Sequence, residues 1–186
     1  MITVNKIYKD LIAMIKTALT TYKLNWQVIQ AYQQTMGNLK PPFIMLHRLT
    51  ATNLGFQFGK DYTEDNQAKH SENQYEILTF QIDAYRPRAE KDNENTITGA
   101  DVARLLARWF MSDTGIKEIR SKGYDVLRIT EVVEEYYKAV SDIYQVNPHF
   151  QMQLVTLQTD VTEAQKIEGV IGNVKEIEQL KNEGGQ

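Results

Sequence analysis

Three histidines, His47, His70 and His149, are the first residues of this 186-residue chain to weigh for chemistry. Imidazoles bind metals and move protons near neutral pH, but a helix-borne metal pair needs two of them at i, i+4, as in HExxH. These three fall in three separate segments, so they read as surface or interface histidines and no metal site is expected. Among the carboxylates, Asp83 stands out because it lies inside the strand-like run QIDAY. A charge buried there without a partner is costly, so Asp83 is expected to face solvent or to pair with a neighbour such as Arg86. A serine or threonine nucleophile has no GxSxG context. Gly169-Val-Ile-Gly172 lacks both the lysine and the spacing of a phosphate loop. The chain has no cysteine, which removes disulfides, thiolate zinc sites and cysteine nucleophiles. These residues predict no catalytic, cofactor-binding or metal-binding centre.

Basic residues gather at Arg86 and Arg88, and again at Arg104 and Arg108. A nucleic-acid groove needs more of them, interleaved with aromatics, and a formal net charge of −3 with a pI near 5.7 gives no global attraction to nucleic acid or anionic membrane. They read as a charged loop and a solvated helix face. The tyrosines differ. Ten are present, with Tyr136 and Tyr137 adjacent and Tyr144 close by, and large amphipathic rings are favoured where proteins meet. An apolar fraction of 42% and a charged fraction of 24% are those of a folded globular protein. Lys6, Lys9, Asp10 and Lys16 interrupt the N-terminal apolar residues, so no signal peptide is expected, and no run approaches the roughly 20 apolar residues of a membrane span. The expectation is a soluble protein made in the cytoplasm.

The elements that position these residues follow from periodicity. Val4, Ile7, Tyr8, Leu11, Ile12, Ile15, Ala18, Leu19 and Tyr22 recur at helical spacing, with Thr3 as N-cap. Residues 25–35 fit one helical turn or a short strand, with a lean to a strand or irregular extended piece, before the turn signals of Gly37, Asn38, Pro41 and Pro42. The runs 43–54 and 74–85 predict an antiparallel pair joined by a long, exposed, polar arm. Within the second run, Leu78, Phe80 and Ile82 fall on one face. Tyr75, Ile77, Thr79, Gln81, Asp83 and Tyr85 fall on the other. Thr98 and Asp101 start the clearest helix, whose apolar face is Val102, Leu105, Leu106, Trp109 and Phe110. A short helix over 114–122 ends at Gly123. Residues 124–130 read as a strand, 131–144 as a helix or an irregular excursion, and 150–159 as a half-buried strand. The prediction is one α+β domain over 1–165, an antiparallel or mixed sheet of about four strands packed against one long and one or two shorter helices. A tail over 166–186 follows, flexible or serving as an interface arm.

The order of these segments carries a resemblance. Val28, Ile29, Ala31 and Gln33 fit an extended VI-x-A-x-Q piece ahead of a turn at Pro41 and Pro42. Gln81, Ile82, Asp83 and Tyr85 fit a Q-[IV]-D-x-Y strand directly before the principal helix. Over residues 25–157 the chain resembles the neck or tail terminator proteins of tailed bacteriophages. It departs from them in having Arg86-Pro87 where a glycine is common, and in residues 131–144. The resemblance implies a non-enzymatic virion protein assembled in the host cytoplasm. Its implied form is a homo-oligomeric, hexameric ring between head and tail. Such a ring ends the tail tube, meets the neck or connector protein above, and in contractile phages meets the sheath protein. DNA passes through its lumen without specific binding, and no membrane is involved. The candidate interface residues are Asp61, Tyr62, Glu64, Asp65 and Glu72 on the arm, Arg86 and Arg88 beyond the strand, and Tyr136, Tyr137 and Tyr144. The four acids, repeated around a ring, would form a negative band. The rival readings are a small soluble hydrolase and a monomeric adaptor or binding module.

Overall fold

The computed structural model describes residues 2–31, 40–65, 67–87, 92–138 and 144–163. Among them are three helices and a six-stranded mixed sheet. Helix α1, Val4–Thr21, starts where the Thr3 side chain accepts a hydrogen bond from the Lys6 N–H, and it turns Ile7, Leu11, Met14, Ile15, Ala18 and Leu19 inward. Lys9, Ala13 and Lys16 are left on its exposed side. Helix α2, Gly99–Phe110, carries a complete capping box: Thr98 Oγ accepts from the Asp101 N–H, and the Asp101 carboxylate accepts from the Thr98 N–H. It buries Val102, Ala103, Leu106, Trp109 and Phe110 and exposes Arg104 and Arg108. Helix α3, Asp113–Ser121, is capped by Ser112 and is followed by Gly123 at φ +86°, a left-handed angle that glycine adopts without strain.

The strands are β1 (Gln27–Gln30), β2 (Phe43–Glu64), β3 (Gln67–Tyr85), β4 (Tyr124–Ile129), β5 (Val133–Lys138) and β6 (Tyr144–Glu163). They lie in the order β1-β2-β3-β6-β4, with β5 also paired to β6. Strand β1 runs parallel to the start of β2, Gln27 opposite Phe43 and Gln30 opposite Leu46. Strands β4 and β5 are both antiparallel to β6, β4 with a register shift between Val126 and Arg128.

The chain divides into two compact units, Met1–Phe56 with Gln74–Gln158, and Gln57–Asn73 with Thr159–Gln186. In the first, one face of the sheet supplies Ile44, Leu46, Leu78, Phe80, Ile82, Phe150, Met152 and Leu154 to a single core shared with the helices. Each such fully buried side chain contributes about 1.5–3 kcal/mol. The Tyr8 ring stands edge-on to Phe80 at 5.5 Å while its hydroxyl accepts from the Arg48 N–H.

Three expectations change. The sheet has six strands, not about four. The polar stretch between the two predicted strands is not a connecting loop: β2 runs on to Glu64 and β3 begins at Gln67, with Asp65 at φ 50° in the turn. Residues 133–138 are strand β5 and 144 opens β6, so most of the described part of 131–144 is strand and none of it helix, with only 131–132 irregular; residues 139–143 lie outside the described ones. Pairing with the long antiparallel β6 overrides the mixed local propensity of VEEYYK. The lean to a strand within 25–35 holds for β1, while 32–39 and the tail over 166–186 lie outside the described residues.

Asp10, Lys6 and Tyr124 tie α1 to the start of β4. Lys6 Nζ lies 2.6 Å, and the Tyr124 hydroxyl 2.9 Å, from Asp10 Oδ2. Burial acts to raise the Asp10 pKa, but the hydrogen bonds from Lys6 and Tyr124 outweigh it and hold the carboxyl below its ordinary value. Asp101 is also held low, by the Thr98 backbone and side-chain donors. A carboxyl lowered by folding stabilises the native state in full above its unfolded pKa, and that stabilisation is lost as pH falls through the lowered value. The urea midpoint is therefore expected to stay flat near neutrality and to drop below about pH 4. Asp10→Asn should lower the neutral-pH midpoint and flatten part of the acid fall. An unchanged acid slope in that variant would exclude Asp10 as a source.

Candidate functional site

Asp83 is not on the surface and does not pair with Arg86: it is 1% exposed, on the sheet face opposite the helices. Its Oδ1 accepts from Gln81 Nε2 and from Asn147 Nδ2, each at 2.9 Å. His47 Nε2 stands 2.9 Å from Oδ2, out of line for a hydrogen bond. Asn147 belongs to β6 and His47 to β2, so one carboxylate ties three strands together through side chains. Buried His149 sets Nδ1 3.1 Å from the Asn147 carbonyl. His47 and His149 thus serve one polar cluster, while His70 lies on the distal part of β3. Among the described residues no group of three His, Cys, Asp or Glu side chains is placed to hold a metal. The cluster orients and locks the sheet.

Arg86 pairs instead with Asp92, NH1 to Oδ2 at 3.1 Å and NH2 to Oδ1 at 2.7 Å, a two-pronged contact. This pair lines an open pocket of about 760 Å³ at the N-terminus of α2, walled by Tyr85, Pro87, Ala100, Val146 and Pro148 with Glu94 and Glu134 among its acids. Arg104 Nη2 holds Glu134 at 3.0 Å from the helix side. The Tyr85 ring packs on Phe43 at 5.2 Å. Arg88, predicted beside Arg86, lies outside the described residues.

The second unit holds the arm acids. Asp61, Tyr62 and Glu64 lie on β2, Asp65 in the turn, and Glu72 on β3. Lys69 Nζ reaches Glu64 Oε2 at 2.6 Å, and this hydrogen bond raises the lysine pKa. His70 stands between Asp61, at Nδ1, and Glu72, 3.8 Å from Nε2. Gly59 makes room for that ring: a Cβ there would lie 2.8 Å from His70 Cε1. The four acids are therefore not a bare band, since Glu64 shares its charge with Lys69 and the other pair flanks a titratable imidazole. Of the tyrosines, Tyr136 and Tyr137 lie on β5 opposite Val146 and Gln145, and Tyr144 opens β6 opposite Lys138.

Sequence reading passed over Phe56. It is 96% exposed, and Leu54 on the same strand is about half exposed. The signal for it is GFQFG, two aromatics in an otherwise polar stretch.

No helix among the described residues is long and apolar enough to cross a membrane. No curated protein matches the chain at the significance required. A family model does match, that of E217 gateway protein gp29, over residues 6–167, far more than half of the chain and spanning the Asp83 cluster, the pocket and the arm. The chain belongs to the E217 gateway protein gp29 family, a family of phage structural proteins.

Proposed function

We propose that the chain forms a homo-oligomeric, hexameric ring at the neck–tail junction of a tailed phage, where it ends the tail tube and docks it to the neck or connector protein. In a contractile phage it also meets the sheath protein. The observation that carries this reading is the family match over residues 6–167; a protein named a gateway suits a part through which DNA passes without being specifically bound. The sheet supports it. Strand β1 pairs with β2 only as far as Leu46, so among the described residues the outer edge of β2 beyond that point has no neighbouring strand. A subunit with an unpaired edge gains by meeting another surface, and a contact between two different surfaces of identical subunits closes a ring when the rotation allows. The buried cluster around Asp83 spans three strands, with Oδ1 accepting from both Gln81 and Asn147, which is the form of a structural tie.

Electron microscopy of the purified chain mixed with tail tubes tests the reading. The expected image is extra density, with six-fold views, at one end of each tube and nowhere along its length. Tubes with both ends bare, from a chain that stays monomeric at all concentrations, would overturn it.

A further inference from the structure

Resting on the ring reading, we infer that neighbouring copies meet through opposite charges: the basic outer side of α1 in one copy receives the acidic second unit of the next. Charge along this chain is sorted rather than mixed. Between Asp10 and Asp61 there is no aspartate or glutamate, yet Lys16, Lys23, Lys40, Arg48 and Lys60 all fall in that stretch. The chain as a whole is acidic, at −3, so the compensating acids lie elsewhere. Sorting of this kind marks surfaces that meet partners of opposite sign.

Helix α1 gathers the basic side. Its buried stripe faces the core, and Lys9 and Lys16 stand on the opposite, exposed side, two turns and about 10 Å apart. Lys23 follows just past the cap at Tyr22, exposed and held at φ 57°. That left-handed angle is one that glycine or asparagine ordinarily fills, so a lysine there stands against its backbone preference. Among the described residues no carboxylate pairs with any of these three. By contrast Lys6 is held by Asp10, Arg104 on α2 by Glu134, and Arg120 on α3 by Asp125. Thr17 and Thr20, exposed on the same helix, donate to its own carbonyls. The ammonium groups stand in water with nothing of opposite sign beside them.

The complement is the described part of the second unit. It carries six carboxylates, those of Asp61, Glu64, Asp65, Glu72, Asp160 and Glu163, against two lysines, Lys60 and Lys69. Lys69 is held by Glu64, and His70 lies between Asp61 and Glu72. Asp65 in the turn, and Asp160 and Glu163 on β6, are exposed and pair with no described base. In a ring of like subunits, a guest of the required sign is therefore at hand at every contact. Because the two surfaces differ, the contact is heterologous, the kind that propagates round a ring instead of stopping at a dimer. Exposed ion pairs are individually weak. Several opposed charges instead decide which surfaces meet and how fast, and salt screens them over about 8 Å at physiological ionic strength.

Charge reversal in the full chain tests this. One variant carries Lys9→Glu, Lys16→Glu and Lys23→Glu, and a second carries Asp65→Lys, Asp160→Lys and Glu163→Lys, all at exposed positions. Wild type, each variant alone and their equal mixture are compared by sedimentation and electron microscopy, with and without tail tubes, and each is titrated with duplex DNA. The inference expects rings from the wild type, none from either variant alone, and rings again from the mixture. There the altered α1 of one variant faces the altered arm of the other all the way round, which a contact within one copy could not reproduce. The unsubstituted wild type should also need several-fold more protein to form rings as salt is raised. Rings from either variant alone, a mixture that stays without them, or wild-type rings indifferent to salt would overturn the inference and leave the ring reading standing. An α1 variant that forms rings but no longer binds DNA would assign that face to nucleic acid, and would also overturn it. No rings from the wild type, even with tubes, would overturn both.

Discussion

Asp83→Ala is expected to destabilise the chain by about 2–5 kcal/mol, because it strands two amide donors inside the protein and each such group costs about 1–3 kcal/mol when left unpaired. The side chain is almost fully enclosed, and three groups converge on it: Gln81 Nε2, Asn147 Nδ2 and His47 Nε2, all at 2.9 Å. Removing the carboxylate leaves two amide donors without that acceptor and an imidazole without its neighbour, on strands β2, β3 and β6 together. A folded protein is stable by only about 5–15 kcal/mol, so the variant should melt far below the wild type or fail to accumulate as soluble protein. Asp83→Asn keeps the shape and one carbonyl acceptor, and should lose markedly less. Denaturant unfolding of the two variants side by side is the measurement. Equal losses would show that the charge is irrelevant and that only shape matters at this site.

Gly99→Ala should be the other large effect. A Cβ on Gly99 would lie 2.3 Å from the Ala84 carbonyl oxygen and 3.1 Å from Pro148 Cγ. The first of these is backbone within a paired strand, so it cannot swing aside as a side chain can. The start of α2 has to lift off β3 instead, loosening Val102 and Leu106 beneath it. Overpacking of this kind costs about 1–3 kcal/mol, and a contact with fixed backbone belongs at the upper end. Gly123→Ala is the control: nothing lies within 4 Å of its Cβ position, so only the strain of φ +86° is at issue. Thermal unfolding should place Gly99→Ala well below Gly123→Ala, and the reverse order would refute the close approach. Because Gly99 also borders the pocket, its alanine variant should weaken any contact made there.

The three helices were legible because their signals are local. Thr3 and Thr98 announce the starts, apolar residues at three-and-four spacing draw the buried stripes, and Gly123 marks an end. The continuation of β2 and β3 through residues 55–73 was not, because a ladder wet on both faces has no apolar alternation to betray it. Strand β5 was hidden for a different reason: its partner, β6, begins after residues that give no turn signal strong enough to announce a hairpin. Alternation did place Asp83 on the face opposite Phe80. It said nothing about what covers that face, and the partners that do, His47 and Asn147, are 36 and 64 residues away in the chain. Arg86 went to Asp92, six residues on, rather than to Asp83, three residues back. Side chains three apart on extended chain leave it on opposite faces, so Asp83 and Arg86 do not meet.

Among the described residues of the second unit, Ser71 alone is buried. A segment held by backbone ladders and surface pairs, with no oily interior of its own, can exchange side chains without endangering the fold. Substitutions at the exposed positions of β2 and β3 beyond Phe56 should therefore move the melting temperature far less than substitutions among the buried residues of the first unit.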